Sequence, residues 1–515
     1  MKNGERKMNG LKLNYKRTIL VGFAFFLISA FWQAYDAIVP LILTNHYGLP
    51  QTISGVVMSA DNVLAVFMLP IFGALSDRVM TRRGKRTPFI IVGTIAATVS
   101  FVLLTLIDTI QLNAISGTGI PEAYEAAKAS LKEATDALVA AGKTGDSSLI
   151  AAAEANVKAV NDVIEGIRAQ TLDITLGNIW PLLGFIGLLL VVLVSMATFR
   201  SPAVALMPDV TVKPLRSKGN AIINLMGTAG GIIVLVLGMI FGTDKYYHMK
   251  YTGYVIAVCG LMIAALSVFL LTVKERRWAE EMKLDTERLG IVEAPAAESG
   301  EKRTLSKPEL KSLMLILASV ALWYIGYNSI TSKYSVYSTN VLFFSFNMTL
   351  IIAQAAAVIA YIPVGMVASK IGRRKTILAG IAMLGTAFFI GNFISFNTPE
   401  FVIIPVFVLA GIGWATINVN SFPMVVELAK GGEVGKYTGY YYTASMAAQI
   451  VAPILSGALY DLFDLFTDGN GMRVVFFAFG TIFVAASFVT MFFVKHGDSR
   501  AEKKGALEAL AGEED

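Results

Sequence analysis

The stretch GALSDRVMTRRGKR, residues 73–86, joins two long apolar runs and carries five Lys or Arg between Arg78 and Arg86. A related string, GMVASKIGRRK at residues 365–375, holds the same place between two later apolar runs, with Gly73 and Gly365 lying 292 residues apart. Each string starts on a glycine near the end of an apolar run. It passes through a polar–basic pair (Asp77-Arg78, Ser369-Lys370) and ends on a glycine set among basic residues (Gly84 and Gly372, the latter followed by Arg373). Matching loops in matching places imply a duplicated unit, the arrangement in which alternating-access carriers build a site between their repeats.

Outward from these loops the chain is a succession of apolar runs. Of 515 residues 55% are hydrophobic and only 16% charged, against about 25% charged in a soluble domain. A helix needs about 20 mostly apolar residues to cross a bilayer and satisfies its own backbone there. Twelve spans are predicted, at 18–44, 52–77, 87–111, 176–206, 219–242, 251–273, 310–333, 343–369, 375–397, 400–427, 436–463 and 472–495. The formal charge of +6 comes from basic residues at span ends, which sets orientation and supplies no nucleic-acid recognition motif. Lys and Arg crowd the gaps after the second, fourth, sixth and eighth spans, whereas NHYGLPQT and FNTPE have none. Even-numbered loops are therefore expected in the cytoplasm, with both termini inside and the chain in a cell (plasma or bacterial inner) membrane. The lone Cys259 forms no intramolecular disulfide and no Cys-rich metal site.

The expected architecture is an all-α membrane protein of twelve transmembrane helices in two pseudo-symmetric six-helix bundles. Residues 1–273 form the first bundle, 274–309 a charged cytoplasmic linker, 310–495 the second bundle, and 496–515 a cytoplasmic tail. Residues 112–175 interrupt the first bundle as an external insertion. Pro121 to Ala141 and Asp146 to Gln170 are rich in Ala, Glu and Lys, and GKTGD joins them. Tyr124, Leu131 and Leu138 lie a heptad apart, facing Leu149, Val157, Val160, Ile164 and Ile167, which predicts an antiparallel helical hairpin. It is a surface decoration, a lid, or an arm for a partner.

With these motifs in place, the chain resembles the major facilitator superfamily. The string GALSDRVMTRRGKRTPFIIVG is similar to the cytoplasmic loop motif of the sucrose–proton symporter group. SPAVALMPD with RSKGNAIINLMGTAGG, GWATINVNSFPMVVELA, and GYYYTASMAAQIVAPILSG are similar to further segments of that group. The related melibiose-type glycoside–cation symporters also remain in view. The resemblance covers nearly all spans but not the insertion. It implies the major facilitator fold, a cavity lined by spans one, four, seven and ten, and cation-coupled symport of a sugar or glycoside such as a disaccharide. This chain departs from the group at two positions: Val204 stands where sucrose carriers have an Arg, and Leu193 where they have an Asp.

Charge inside a span costs about 2.5–3.5 kcal/mol on insertion scales and marks function, so Asp36, Asp61 and Arg200 need explaining. At a rise of about 1.5 Å per residue, Asp36 and Asp61 both lie roughly 12–14 Å below the outer surface, on neighbouring spans. Paired carboxylates can hold a proton or ligate sodium, which makes both candidates for cation coupling. Arg200, counted from the inner surface, is expected about 8 Å below them, a gap a sugar spans. It stands one turn from Val204. Sugar rings have apolar C–H faces and hydroxyl rims, which points to Trp32 and Tyr35 with Asp36, to Tyr324 and Asn328, and to Trp414 and Asn418. Gln354, Asn392 and Gln449 are weaker candidates. The plainer readings are an interfacial belt for the aromatics, snorkelling for Arg200 and backbone capping for the aspartates.

The loop motif predicts a cytoplasmic gate. Asp77, Arg78, Arg82 and Arg86 pair with helix ends and with Asp209, and Gly73, Gly84, Gly365, Gly372 and Arg373 complete the two copies. Glu427 and Lys436 are counterparts in the second half, where Ser369 replaces the acid.

No cofactor or metal is expected beyond a coupling proton or sodium ion. No Walker motif is present, and the three histidines, His46, His248 and His496, lie near span ends without an H-E-x-x-H. These features argue against a primary pump and an enzyme. The expected partners are a small-molecule substrate and the lipid bilayer, the chain being monomeric, with no nucleic acid. An exporter or uptake carrier for another small polar solute is the alternative within transport; a non-transporting receptor using the hairpin as sensor is the alternative outside it.

Overall fold

A computed structural model describes residues 13–144, 146–212, 215–289, 306–395, 398–426, 428, 434–467 and 469–496. The helices in chain order are α1 (Tyr15–Leu41), α2 (Gln51–Arg78), α3 (Thr87–Ser116), α4 (Ile120–Thr144), α5 (Ser147–Gly177), α6 (Trp180–Val210), α7 (Arg216–Phe241) and α8 (Thr252–Thr272). Then come α9 (Glu275–Leu289), α10 (Lys307–Thr331), the short α11 (Tyr334–Tyr337), α12 (Phe346–Ile371), α13 (Arg373–Gly391), α14 (Glu400–Val426), α15 (Val434–Asp464) and α16 (Gly471–Phe492). Among the described residues eleven helices are long and apolar enough to cross a membrane, and the apolar stretch Phe346–Tyr361 within α12 supplies the shorter twelfth.

Helices α1–α3 and α6–α8 pack among themselves, as do α10 and α12–α16. Two seams join the sets, α2 against α15 and α7 against α12. Large hydrophobic side chains such as Phe67, Leu271, Ile359 and Phe401 stay exposed around the outside, as a surface facing hydrocarbon requires. Most spans lie within a few residues of their predicted bounds, but the ninth helix span ends at Gly391 and not at 397, where residues 396 and 397 lie outside the described ones, and the third runs on to Ser116. The sequence reading missed the π-helical turns Ile42–His46 and Ser338–Leu342, which end α1 and follow α11, and it missed α9 inside the charged linker. α9 is held where Arg17 donates to Glu281 (2.6 Å) and lies 5.2 Å over the Trp278 ring. α10 opens with a reciprocal Ser306–Glu309 capping box, which is the kind of start that fixes where a helix begins.

The insertion is the expected antiparallel pair, α4 and α5, opened by Asp146, whose carboxylate accepts from the amides of Ser148 and Leu149. Tyr124, Ile164 and Ile167 are buried against Ile115 and Tyr247, with Leu131 and Val160 at the edge. Leu149 was expected in this stripe but is exposed: at the tip of the hairpin there is no opposing bundle surface to cover it.

On the hairpin face the two bundles touch closely. A Cβ at Gly55 of α2 would stand 2.1 Å from the carbonyl oxygen of Pro453 in α15, and one at Gly457 would stand 2.3 Å from that of Gln51. Gly55→Val should therefore prop this seam open without disturbing either bundle. Labelling of a cysteine introduced at the buried Thr339 by a membrane-impermeant maleimide should rise about tenfold, while the thermal midpoint in detergent changes little.

Candidate functional site: a polar cavity between the bundles

Between the bundles lies a central cavity whose overlapping lobes hold about 530 and 750 Å³. It extends past Met207, Pro208, Asn220 and Tyr441, toward the face that carries the basic loops. On the hairpin face it is sealed. Asn45 and Asn340 exchange amide hydrogen bonds across the bundles (2.8 and 3.5 Å). Asp461 of α15 caps the start of α2, accepting from the Gln51 and Thr52 amides (2.8 and 2.7 Å) and from the Thr52 hydroxyl (2.5 Å). The buried Lys333 ammonium donates to the Gln51 carbonyl at 3.2 Å.

Of the candidates named from the sequence, Trp32, Asp36, Arg200, Tyr324, Asn328, Trp414 and Asn418 line the cavity. Asp36 and Asp61 come together with Arg200, Trp32, Asn62, Asn328 and Gln449 around a polar side lobe of about 190 Å³. The Asn62 amide donates to Asp61 at 2.8 Å, and the Arg200 guanidinium lies 5.6 Å from the Trp32 ring centroid.

Two expectations are corrected. Arg200 does not sit a sugar's length below the aspartates; its long side chain reaches back up into their lobe, because the cavity offers it water and countercharge that the surrounding hydrocarbon does not. Tyr35 does not line the cavity. It is fully buried, stacked 5.9 Å from Phe31 and edge-on to Trp32 at 5.3 Å. Helical spacing placed Trp32 and Tyr35 on one face, but the cavity meets only the Trp32 and Asp36 side of it. Val204 lines the cavity whereas Leu193 is buried in the bundle.

Opposite the charges, Tyr327 and Trp414 stack at 3.6 Å with 17° between planes, and Trp323 abuts Trp414 edge-on at 5.2 Å. The sequence reading named Trp414 but missed Tyr327, one turn after Trp323; the pairing of α10 with α14 turns it inward. Gln33 was also missed. Its carbonyl oxygen accepts from the Gln354 amide at 2.6 Å, linking α1 of one bundle to α12 of the other inside the cavity. Asn392 bonds instead to the Phe388 carbonyl at 3.0 Å, away from the cavity.

At the basic face the loop motif forms a latch within the first bundle. Arg86 donates to Asp209 (2.7 Å), to Asp77 (2.5 Å) and to the Ser76 hydroxyl, and Gly73 contributes its carbonyl at 3.5 Å. Arg78 and Arg82 were expected in this network, but among the described residues they are exposed and form no ion pair with it. The residue the sequence missed is Glu275, first of α9. Its buried carboxylate accepts from the Lys85, Arg86 and Thr87 amides (2.6, 2.8 and 2.8 Å) and from the Thr87 hydroxyl (2.6 Å). It thus supplies the anion that a helix start attracts. Gly84, at φ +125°, is needed because a Cβ there would stand 2.2 Å from that carboxyl group. In the second copy Gly365 lies buried in α12, and Gly372, at φ +93°, turns the chain into α13 with Arg373 buried at its start. Glu427 and the side chains of Ser369 and Lys436 fall outside the described residues.

A profile described as Major Facilitator Superfamily matches residues 337–512, in the second bundle, and one described as MFS/sugar transport protein matches residues 20–110, in the first. The chain belongs to the major facilitator superfamily. Members of this superfamily are transporters and not enzymes. The MFS-type transporter ppzB of Metarhizium rileyi (strain RCEF 4871) is 29% identical over 108 residues, a match spanning 21% of either protein's length. Two solved structures share the superfamily fold. The xylose transporter XylE from E. coli in an inward open conformation aligns with a TM-score of 0.55 at 14% identity, over 96% of this chain and 98% of its own. A D-xylose–proton symporter aligns with a TM-score of 0.57 at 13% identity, over 93% and 98%.

The latch of this superfamily member separates Glu275 from the exposed arginines. Glu275→Ala should cost about 2–3 kcal/mol, since it strips a buried helix start of a charged acceptor. Arg82→Ala should cost less than about 0.5 kcal/mol. Thermal unfolding in detergent, read by the loss of monodisperse protein on size exclusion, checks the difference.

Proposed function

We propose that this protein is a secondary active carrier that works by alternating access and symports a sugar or glycoside, such as a disaccharide, with a proton or sodium ion. The observation that supports this most is one cavity holding two kinds of surface. A stacked aromatic platform of Tyr327 and Trp414 faces a lobe of two carboxylates, a guanidinium and amides. A sugar ring lays its C–H face on the platform and turns its hydroxyls to Arg200, Asn328, Asn418 and the Gln33–Gln354 pair. Asp36 and Asp61 sit in the side lobe, beside the sugar and out of its way, where a cation binds and the charge it brings is felt by Arg200. The profile matched by the first bundle, described as a sugar transport protein, supports the same substrate class. Within the superfamily, the sequence segments quoted above favour the sucrose–proton symporter group.

In this reading the basic loops and both termini are cytoplasmic, the hairpin is external, and the structure is the state open to the cytoplasm. Cations moving inward down a 100 mV potential release about 2.3 kcal/mol each, enough for roughly fiftyfold accumulation.

In proteoliposomes given a panel of radiolabelled disaccharides, with and without a proton or sodium gradient, at least one sugar should accumulate. Asp36→Asn and Asp61→Asn should each lower accumulation by about tenfold or more, while exchange of sugar across the membrane at equal concentrations persists. If both variants accumulate sugar like the parent, neither carboxylate carries the coupling. If the parent binds sugar and never accumulates it, the chain is a receptor.

A further inference from the structure

The hairpin belongs structurally to the first bundle. Tyr124 stacks on Tyr247 at 3.6 Å, and the Glu125 carboxylate accepts from the Tyr247 amide at 3.2 Å. The Thr175 hydroxyl, which accepts from Gln111 at 2.8 Å, donates to the Tyr47 carbonyl at 3.0 Å. Its buried apolar residues Tyr124, Ile164 and Ile167 form one cluster with Ile115 and Tyr247 of this bundle.

It also reaches the other bundle. The Lys128 ammonium lies 5.0 Å over the ring of Phe343, and the φ of Phe343 is +56°, a backbone region side chains disfavour. Arg168 of the hairpin shares a cleft with Asp464 at the end of α15. The loop after α15 comes so close that a Cβ on Gly469 would stand 3.0 Å from the Glu165 carboxyl carbon. A cleft of only about 60 Å³ remains between these surfaces, directly above the sealed end of the cavity at Gln51 and Asn340.

We propose that the hairpin is a clasp, anchored in the first bundle, that grips the outer end of the second and holds the cavity shut on that face. The division of chemistry supports this. Contacts to the first bundle combine a packed apolar cluster with buried hydrogen bonds, so they persist. Contacts to the second are a cation–π contact and charged groups at a narrow cleft edged by Leu131 and Ile164, and the polar ones are weak and readily wetted. When the outer ends of the bundles part, Lys128 must leave Phe343 and Arg168 must leave Asp464, because the hairpin travels with the first bundle. Contacts made in one state and lost in the other bias the equilibrium without locking it. The clasp rests on the alternating-access reading but not on the identity of the substrate.

The test uses the full chain in nanodiscs with Cys259→Ser and one reporter, Ser54→Cys, which is buried near the α2–α15 seam. A membrane-impermeant maleimide reports how often the hairpin face opens. Lys128→Met with Arg168→Gln should speed labelling about fivefold over the parent. Asp464→Asn keeps the acceptor for the Gly471 amide and tests the far side of the clasp, so the result does not depend on the folding of the hairpin variants. It should speed labelling as well, and combining it with Arg168→Gln should add little. Labelling at the parent rate in both sets of variants, or strictly additive effects, overturns the clasp. The reporter reads conformation and not uptake, so a protein that accumulates no sugar still answers the question.

Discussion

Hydrocarbon offers no partner to a charge or an open hydrogen bond, and this one constraint governs where the described charges of the spans lie. Asp36, Asp61 and Arg200 are admitted to the membrane interior only because the gap between the bundles gives them water and one another. Other buried charges among the described residues have partners of their own: Arg86 has Asp77 and Asp209, and Asp108 has His46. Glu275 caps α3 on one side and Asp461 caps α2 on the other.

The two faces are fastened differently, and that asymmetry allows movement. At the basic face the ionic network of Arg86, Asp77, Asp209 and Glu275 lies wholly within the first bundle and its trailing helix α9. It stiffens that bundle without tying it to the other. At the hairpin face the fastenings run between bundles: Asn45 to Asn340, Asp461 and Lys333 to the start of α2, and the glycine contacts at Gly55 and Gly457. In the proposed alternating-access cycle, breaking that set and closing the basic face is a rocking of two otherwise intact units about the cavity. The hydrogen bond that the Gln354 side-chain amide donates to Gln33 places a polar cross-bundle contact inside the cavity.

Aromatic faces, amides and a guanidinium suit a polyhydroxylated ring, and a carboxylate pair beside it suits a coupling cation. Neither feature decides the function alone, since aromatic pairs also pack cores and buried acids also cap helices. Their meeting in one sealed-ended cavity between two matching bundles favours transport.

Much of this was legible in the chain. Span number, orientation signals, the hairpin and the duplication follow from local facts: hydrophobic length, charge at run ends, heptad spacing and a repeated loop. So do Asp36, Asp61 and Arg200, because charge inside an apolar run is conspicuous. Which side chains meet was decided by tertiary structure. Tyr35 and Trp32 read alike in sequence, yet one is core and the other lines the cavity, because helix rotation depends on neighbours hundreds of residues away. Asp108 stood inside the third predicted span, but its partner His46, 2.7 Å away, did not show in the sequence, and Tyr327, Gln33 and Glu275 carry no local mark. Their roles arise only when distant helices pack and leave each polar group either a partner or a cavity to face.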